Sequence, residues 1–325
     1  MPPFRSRYVA AVLLALSLVW AGCGNDDDTA EPAGVEETAT AEPAGANQTA
    51  PSDAAEPDSS PAPVPTAVPD RPQRIVSLSP MATEILFAIG AGDQVVAVDE
   101  FSNYPPEAPL TDLSGWDPNV EAVLSYEPDL VVMVNDANDL KAGLAAVDVP
   151  VMLSPAPAEF ASGYAAIIDL GYAVGRLDEA LELVRQLETE IGAALAAAPE
   201  APVRVYHELD DQYYSVSSGG FIGAVYAALG AINIADEADA DGFGYPQLTE
   251  EYIVAADPEL IVITDLVGYT AADVAARPGW GDVAAVRNGN IVMVNADTAS
   301  RWGPRLPRFI GEVADALQAV AEPDS

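Results

Sequence analysis

The chain has 325 residues, half of them hydrophobic, and sets 51 Asp and Glu against 13 Lys and Arg, for a net charge of −38 at neutral pH. That balance excludes nucleic acid as a partner, because binding phosphates needs a basic surface. One cysteine, Cys23, and one histidine, His207, exclude an internal disulfide and leave no side-chain set for a zinc or manganese site.

In chain order, Arg5 and Arg7 precede an apolar run from Tyr8 to Ala21. The run is too short to cross a bilayer and suits the core of a secretory signal. It ends in Ala21-Gly22-Cys23, and small residues before a cysteine at that place resemble a bacterial lipobox, with Trp20 where an aliphatic residue is usual. Residues 1–22 are therefore expected to be a lipoprotein signal peptide and Cys23 the lipidated new N-terminus. The alternative is an ordinary signal followed by an unrelated cysteine. From Gly24 to Asp70 there are 11 acidic residues, 8 prolines, no Lys or Arg and no aromatic side chain. Such a segment cannot bury enough apolar surface to fold, so residues 23–70 are expected to be a disordered acidic tether.

The rest, from Arg71 onward, carries 40 acidic and 11 basic residues, with Lys141 the sole lysine. This charge suits solubility in a salty medium better than it defines a ligand. Arg74 to Leu78 reads as a strand, Ala82 to Ile89 as a helix closed by Gly90, and Val95 to Val98 as a second strand. The stretch from Glu159 to Ala198 has no strand signal. Its second half, Asp178 to Ala198, spaces Leu181, Val184, Leu187, Ile191 and Leu195 as an amphipathic helix roughly 30 Å long. Arg204 to Glu208 is then a strand, Phe221 to Leu229 a helix closed by Gly230, and Pro304 to Val320 the last helix, with Pro304 at its start.

Two stretches repeat at an offset of 130 residues. Glu121-Ala-Val-Leu-Ser-Tyr-Glu-Pro-Asp-Leu-Val-Val returns as Glu251-Tyr-Ile-Val-Ala-Ala-Asp-Pro-Glu-Leu-Ile-Val. Each copy reads as an acidic-headed helical turn, a Pro-acid turn and a strand buried on both faces. Strand–helix alternation on both sides of a helical divider predicts an α/β protein of two lobes, each with a mostly parallel sheet. The expected boundaries are 71–158 for the first lobe, 159–199 for a helical spine and 200–325 for the second lobe. Two lobes imply a ligand cleft between them, and a continuous helix between them implies that it is largely preformed.

Arg74-Ile-Val-Ser-Leu-Ser-Pro-Met-Ala-Thr-Glu-Ile-Leu-Phe-Ala-Ile-Gly, Asn103-Tyr-Pro-Pro-Glu, both repeats and Trp302-Gly-Pro-Arg305 resemble the cobalamin and iron-siderophore group of ABC-importer substrate-binding proteins. The resemblance runs in order over nearly all of residues 71–320. It implies two Rossmann-like lobes joined by a rigid helix, and a monomer that works with an importer permease dimer and its ATPase. It also implies one rim glutamate per lobe, here Glu121 and Glu251, each docking on a permease arginine; a two-fold permease presents the same basic pocket twice. The same two residues also suit the N-terminal dipole of a helix.

Aligned on cobalamin-binding members, the resemblance implies a cleft lined by Phe101, Trp116, Tyr245 and Arg301. Flat aromatic faces suit a macrocycle because they bury apolar area at little entropic cost. Each aromatic could equally serve core packing. Arg301, Arg305 and Arg308 cluster before the last helix, where they could meet an anionic or amide-rich ligand or pair with the chain's carboxylates; Arg301 is expected at the cleft and Arg305 in a structural role. His207 is expected to be structural, with ligation of a haem iron or corrinoid cobalt as the alternative.

No Gly-x-Ser-x-Gly elbow, phosphate loop or His-Glu-x-x-His is present, and one histidine serves general-base chemistry poorly. Ser217-Ser-Gly-Gly-Phe reads as a ligand-side turn and not as a nucleophile. The expectation is an exported lipoprotein, with no cofactor or resident metal and touching the membrane only through its lipid. It would be no enzyme, and would capture a corrinoid, with an iron(III)-siderophore or haem as the alternative ligand. A lipid-anchored hydrolase is a minor further reading.

Overall fold

The computed structural model describes residues 71–322. The expected signal peptide, Cys23 and the tether lie outside the described residues.

Two parallel sheets organise the chain. In the first, β1 (Ile75–Leu78), β2 (Val95–Asp99), β3 (Leu110–Leu113), β4 (Leu130–Met133) and β5 (Val151–Leu153) lie in the order β3-β2-β1-β4-β5. The second sets β6 (Arg204–Glu208), β7 (Ile232–Asn233), β8 (Leu260–Thr264) and β9 (Ile291–Val294) in the order β7-β6-β8-β9. Every pairing is parallel. In both sheets the chain reverses its direction of winding beside the first strand, and ligands of such sheets bind outside the carboxyl ends of the strands.

The helices of the first lobe are α1 (Pro80–Ala88), α2 (Val120–Leu124) and α3 (Leu140–Ala145). The spine is α4 (Phe160–Ala173) and α5 (Leu177–Ala196), two helices broken by a turn at Gly175 (φ 67°) and packed against each other. The second lobe holds α6 (Phe221–Ala228), α7 (Glu250–Ala256), α8 (Ala271–Ala275), α9 (Ala284–Asn288), α10 (Ala296–Ser300) and α11 (Leu306–Ala321). Among the described residues no helix is long and apolar enough to cross a membrane.

The 130-residue repeat has a physical cause in strand docking. Glu127 and Asp257 both take a left-handed backbone (φ 50° and 48°), and Pro128 and Pro258 are both buried. The next residue accepts the amides that start the neighbouring strand: Asp129 takes those of Gln73 and Arg74 at 2.7 and 2.8 Å, and Glu259 takes that of Arg204 at 3.0 Å. The arginine side chains close the clip, Arg74 on the carbonyl of Glu127 and Arg204 on that of Asp257. Strand register follows: Ile75 pairs with Leu130 and Val205 with Leu260, each partner shifted by the same offset.

One hydrophobic core runs through both lobes and the spine. It joins Ile75, Ile85 and Val132 of the first lobe to Ile167, Leu170, Leu183 and Leu187 of the spine and to Val205, Val262, Phe309 and Leu317 of the second. Trp302 plugs into α4 at Gly163, where an added Cβ would lie 1.9 Å from the indole, and Tyr164 meets the same indole edge-on at 5.3 Å.

Candidate ligand cleft

The loops that follow β2 and β3 at their carboxyl ends carry Phe101 and Trp116. Phe101 is half-buried, whereas Trp116 is 54 % exposed. Asp99, the last residue of β2, is buried between these loops. Gly115 lies so close that an added Cβ would stand 2.8 Å from the Asp99 carboxylate and 2.9 Å from the Leu78 carbonyl, so only glycine lets the Trp116 turn sit there. Burial pushes the Asp99 carboxyl above its ordinary value, against the opposing pull of its hydrogen bonds to Ser102. Ser102 extends a buried hydroxyl chain to Thr83 and Ser77 at 3.0 and 2.8 Å.

Arg301 and Arg305 share one buried carboxylate, Glu84 on α1. Arg305 grips it through Nε at 2.8 Å and Nη2 at 2.5 Å, and Arg301 reaches it through Nη1 at 3.3 Å. Arg301 also donates to Asn103 Oδ1 (2.9 Å), the Phe101 carbonyl (2.9 Å) and Asp297 Oδ1 (2.6 Å). The structure therefore brings Phe101 and Arg301 together. It gives Arg301 the same kind of carboxylate partner as Arg305, although only Arg305 was expected to be structural. The hydrogen bond to Glu84, more than any other cause, holds the Arg305 guanidinium above its ordinary value.

Tyr245 lies on the loop between β7 and α7 and is exposed, as is Phe243. That loop folds against the turn at Ser217: the Ser217 amide donates to the Gly244 carbonyl (2.9 Å), and the Ser217 hydroxyl donates to Asp239 (2.5 Å). Asp239 accepts the amides of Phe243 and Gly244 as well, and these bonds, the Ser217 hydroxyl first, hold its carboxyl below the ordinary range. Ser217 is thus loop scaffolding. Phe243 went unread in the sequence, although an aromatic between Gly242 and Gly244, both at positive φ, marks a side chain displayed on a tight turn. Leu266, two residues past β8, is a further exposed apolar side chain at a strand end.

His207 is fully buried, with Nδ1 2.7 Å from the Tyr226 hydroxyl, and burial lowers its pKa to about 4. It therefore faces the interior between β6 and α6. Among the described residues no cluster of three or more His, Cys, Asp or Glu could hold a metal ion. On the opposite face of β6, buried Glu208 takes a bidentate pair from Arg277 at 2.6 and 2.7 Å and a short hydrogen bond from Tyr269. Arg277 lies over the rings of Trp280, Tyr269 and Tyr213 at 4.7, 5.3 and 5.5 Å. Burial, reinforced by Glu208, pushes the Tyr269 phenol above its ordinary value.

Glu121 and Glu251 occupy the same place in the two lobes, the second residue of α2 and of α7. Asn119 caps α2 on the amide of Ala122 (2.9 Å), and Thr249 caps α7 on that of Tyr252 (3.2 Å). Both glutamates are exposed, whereas neighbouring Glu250 is engaged by the Trp280 indole at 3.0 Å.

Residues 75–298 match the family model described as periplasmic binding protein. A cobalamin-binding protein of Halobacterium salinarum is 31% identical to this chain, covering 81% of it and 73% of the relative. An uncharacterized ABC transporter substrate-binding lipoprotein of Bacillus subtilis is 30% identical over 96% of this chain and 97% of its own length. Among solved structures, a periplasmic heme-binding protein from Roseiflexus in apo form superposes with a TM-score of 0.70 at 27% identity, covering 77% of this chain and 99% of that one.

Proposed function

The chain belongs to the periplasmic binding protein family, a family of solute carriers and not of enzymes, and on that premise we propose that it captures a corrinoid outside the cytoplasm and delivers it to an ABC importer. The observation that carries the corrinoid reading is the state of the arginines beside Phe101. Glu84 pairs with both Arg301 and Arg305 and Asp297 pairs with Arg301, so two carboxylates offset the two guanidiniums, and the ligand meets exposed apolar faces at Trp116, Tyr245 and Phe243 with no uncompensated cation from this pair. A haem brings propionates and many ferric siderophores bring anionic groups, each of which calls for an uncompensated positive charge once water is excluded. A corrinoid rimmed with amides needs hydrogen bonds and flat apolar contact instead. The cobalamin-binding relative supports this choice. The second reading, haem or another iron chelate, is supported by the likeness to the heme-binding structure.

Tryptophan fluorescence separates the two readings. Trp280 and Trp302 are buried in the core, whereas Trp116 is exposed and is the indole of the described residues placed to touch a ligand. Titration with cyanocobalamin is expected to saturate at micromolar concentration or below, and Trp116→Ala to weaken the binding that the remaining indoles report. Saturation by haemin or a ferric hydroxamate with no response to cyanocobalamin overturns the corrinoid reading in favour of the second.

On the same premise, Cys23 is the lipid attachment point on the outer face of the cytoplasmic membrane, and Glu121 and Glu251 dock on arginines of the permease dimer, the part of the importer that this face presents. Exposure, equal placement and the lack of a partner for either carboxylate among the described residues support the docking role. The double variant Glu121→Ala with Glu251→Ala is expected to keep ligand affinity and lose uptake in cells. Loss of ligand affinity would contradict docking.

A further inference from the structure

We propose that Arg301, Glu84, Asn103 and Asp297 form an interlobe clasp that positions the Phe101 loop, so that Arg301 acts on the ligand through that loop and not by touching it. The proposal rests on the solute-binding reading of the cleft, and it concerns how one wall of that cleft is set.

A guanidinium has five N–H donors. Four from Arg301 are spent on Glu84, Asn103, the Phe101 carbonyl and Asp297, and its side chain is 11% exposed. Asn103 turns its other amide atom to the same aspartate, donating to Asp297 Oδ2 at 3.0 Å. Arg301, Asn103 and Asp297 therefore close a triangle whose Asn103 corner belongs to the first lobe and whose other corners belong to the second. Arg305 binds the far side of Glu84 and stands 4.1 Å from the centre of the Tyr104 ring. Residues 101–104 are thus held at a carbonyl, a side-chain amide and a ring, all by the segment from Asp297 to Arg305. That segment is fixed in turn by Trp302 in the spine.

The first lobe's own hold on this loop is at Phe101 and Ser102, whose hydrogen bonds to the buried Asp99 carboxylate leave Asn103 and Tyr104 to the clasp. The Ser102 amide bonds to the Asp99 carbonyl at 3.1 Å, and the Ser102 hydroxyl meets Thr83. Without the clasp, Phe101 and Asn103 would lose their contacts to the second lobe. A binding wall that must be ordered at the moment of capture costs affinity, whereas one already ordered does not. Planar charge-assisted pairs suit this task because they fix direction as well as distance, which a lysine at the same place cannot reproduce.

The test compares Arg301→Lys and Asn103→Ala in the full chain, reading amide hydrogen exchange of residues 101–104 and affinity for cyanocobalamin and haemin. Asn103 is exposed, so its variant keeps the test open if Arg301→Lys folds poorly. Both variants are expected to speed exchange at 101–104 at least tenfold, leave β1 and β6 unchanged, and weaken whichever probe the native protein takes up. Arg301→Lys is expected to have the larger effect. Weakened affinity with unchanged exchange would make Arg301 a direct ligand contact and overturn the proposal. Faster exchange with unchanged affinity would overturn it too, by cutting the loop from recognition. If the native protein binds neither probe, the corrinoid and haem readings fail, while the exchange data still decide whether the clasp orders the loop.

Discussion

The two lobes start from one plan and part company at the carboxyl ends of their first strands. β1 and β6 pair with β4 and β8 in matching register, so Ser77 corresponds to His207 and Leu78 to Glu208. In the first lobe Leu78 packs in an uncharged apolar cluster, and Ser77 joins a chain of hydroxyls. In the second lobe the same places hold a buried ion pair and a buried imidazole. The frame common to both lobes comes from their amino-terminal clips. What differs lies at the strand ends, and there the second lobe puts charge where the first puts hydrocarbon.

The sharpest way to break this comparison is to remove the charge. Glu208→Ala leaves Arg277 inside its aromatic cage without an anion, and stranding one partner of a buried pair costs about 3–5 kcal/mol. Replacing both, Glu208→Leu with Arg277→Met, imitates the first lobe and is expected to stay within about 1–2 kcal/mol of the native stability, because the desolvation cost disappears along with the attraction. Chemical denaturation reads both. If the double replacement is as damaging as the single, the ion pair supports more than its own burial, and the lobes are not interchangeable at this place.

How much of this could be read beforehand depended on range along the chain. The clips were legible as a 130-residue echo because each is made within one short segment and its neighbour strand, and turn chemistry at Pro128 and Pro258 leaves a sequence mark. The edge strand β3 was not legible: Leu-Thr-Asp-Leu is mostly solvent-facing and carries no buried run. Glu84 was hidden for another reason. Inside an apolar helix it looks like a surface residue, and its partners Arg301 and Arg305 lie 217 and 221 residues away. Read from sequence, Arg301 belongs at the cleft and Arg305 in a structural role, and only the tertiary contact names Glu84 as the anion that both engage.

His207 gives a smaller and more selective test. Its folded pKa of about 4 lies below the ordinary 6.5, so on acidification the unfolded chain takes up the proton first. The resulting stability is complete above pH 6.5 and is lost as the pH falls towards 4, up to about 3 kcal/mol. His207→Gln is expected to flatten the stability curve between those limits, leaving the carboxylate-driven change below pH 4 in place. An equally steep curve in the variant would mean that the histidine does not stay neutral beside Tyr226, and that β6 is less tightly closed than its counterpart β1.

The smallest expected effects come from the feature that the lobes have in common. Asp129→Ala removes the acceptor for two strand-starting amides and Glu259→Ala that for one. Both side chains are at least partly exposed, so water replaces much of what is lost, and the net cost is about 1–2 kcal/mol for the first and about 1 kcal/mol for the second. If the clip is a unit repeated in independent lobes, the costs add in the double variant, since sites this far apart with no common partner couple by less than about 0.5 kcal/mol. The single core that spans both lobes works against full independence. A double variant losing clearly more than the sum would show that loosening one strand is felt at the other through Ile75 and Val205, which sit in that core next to each clip.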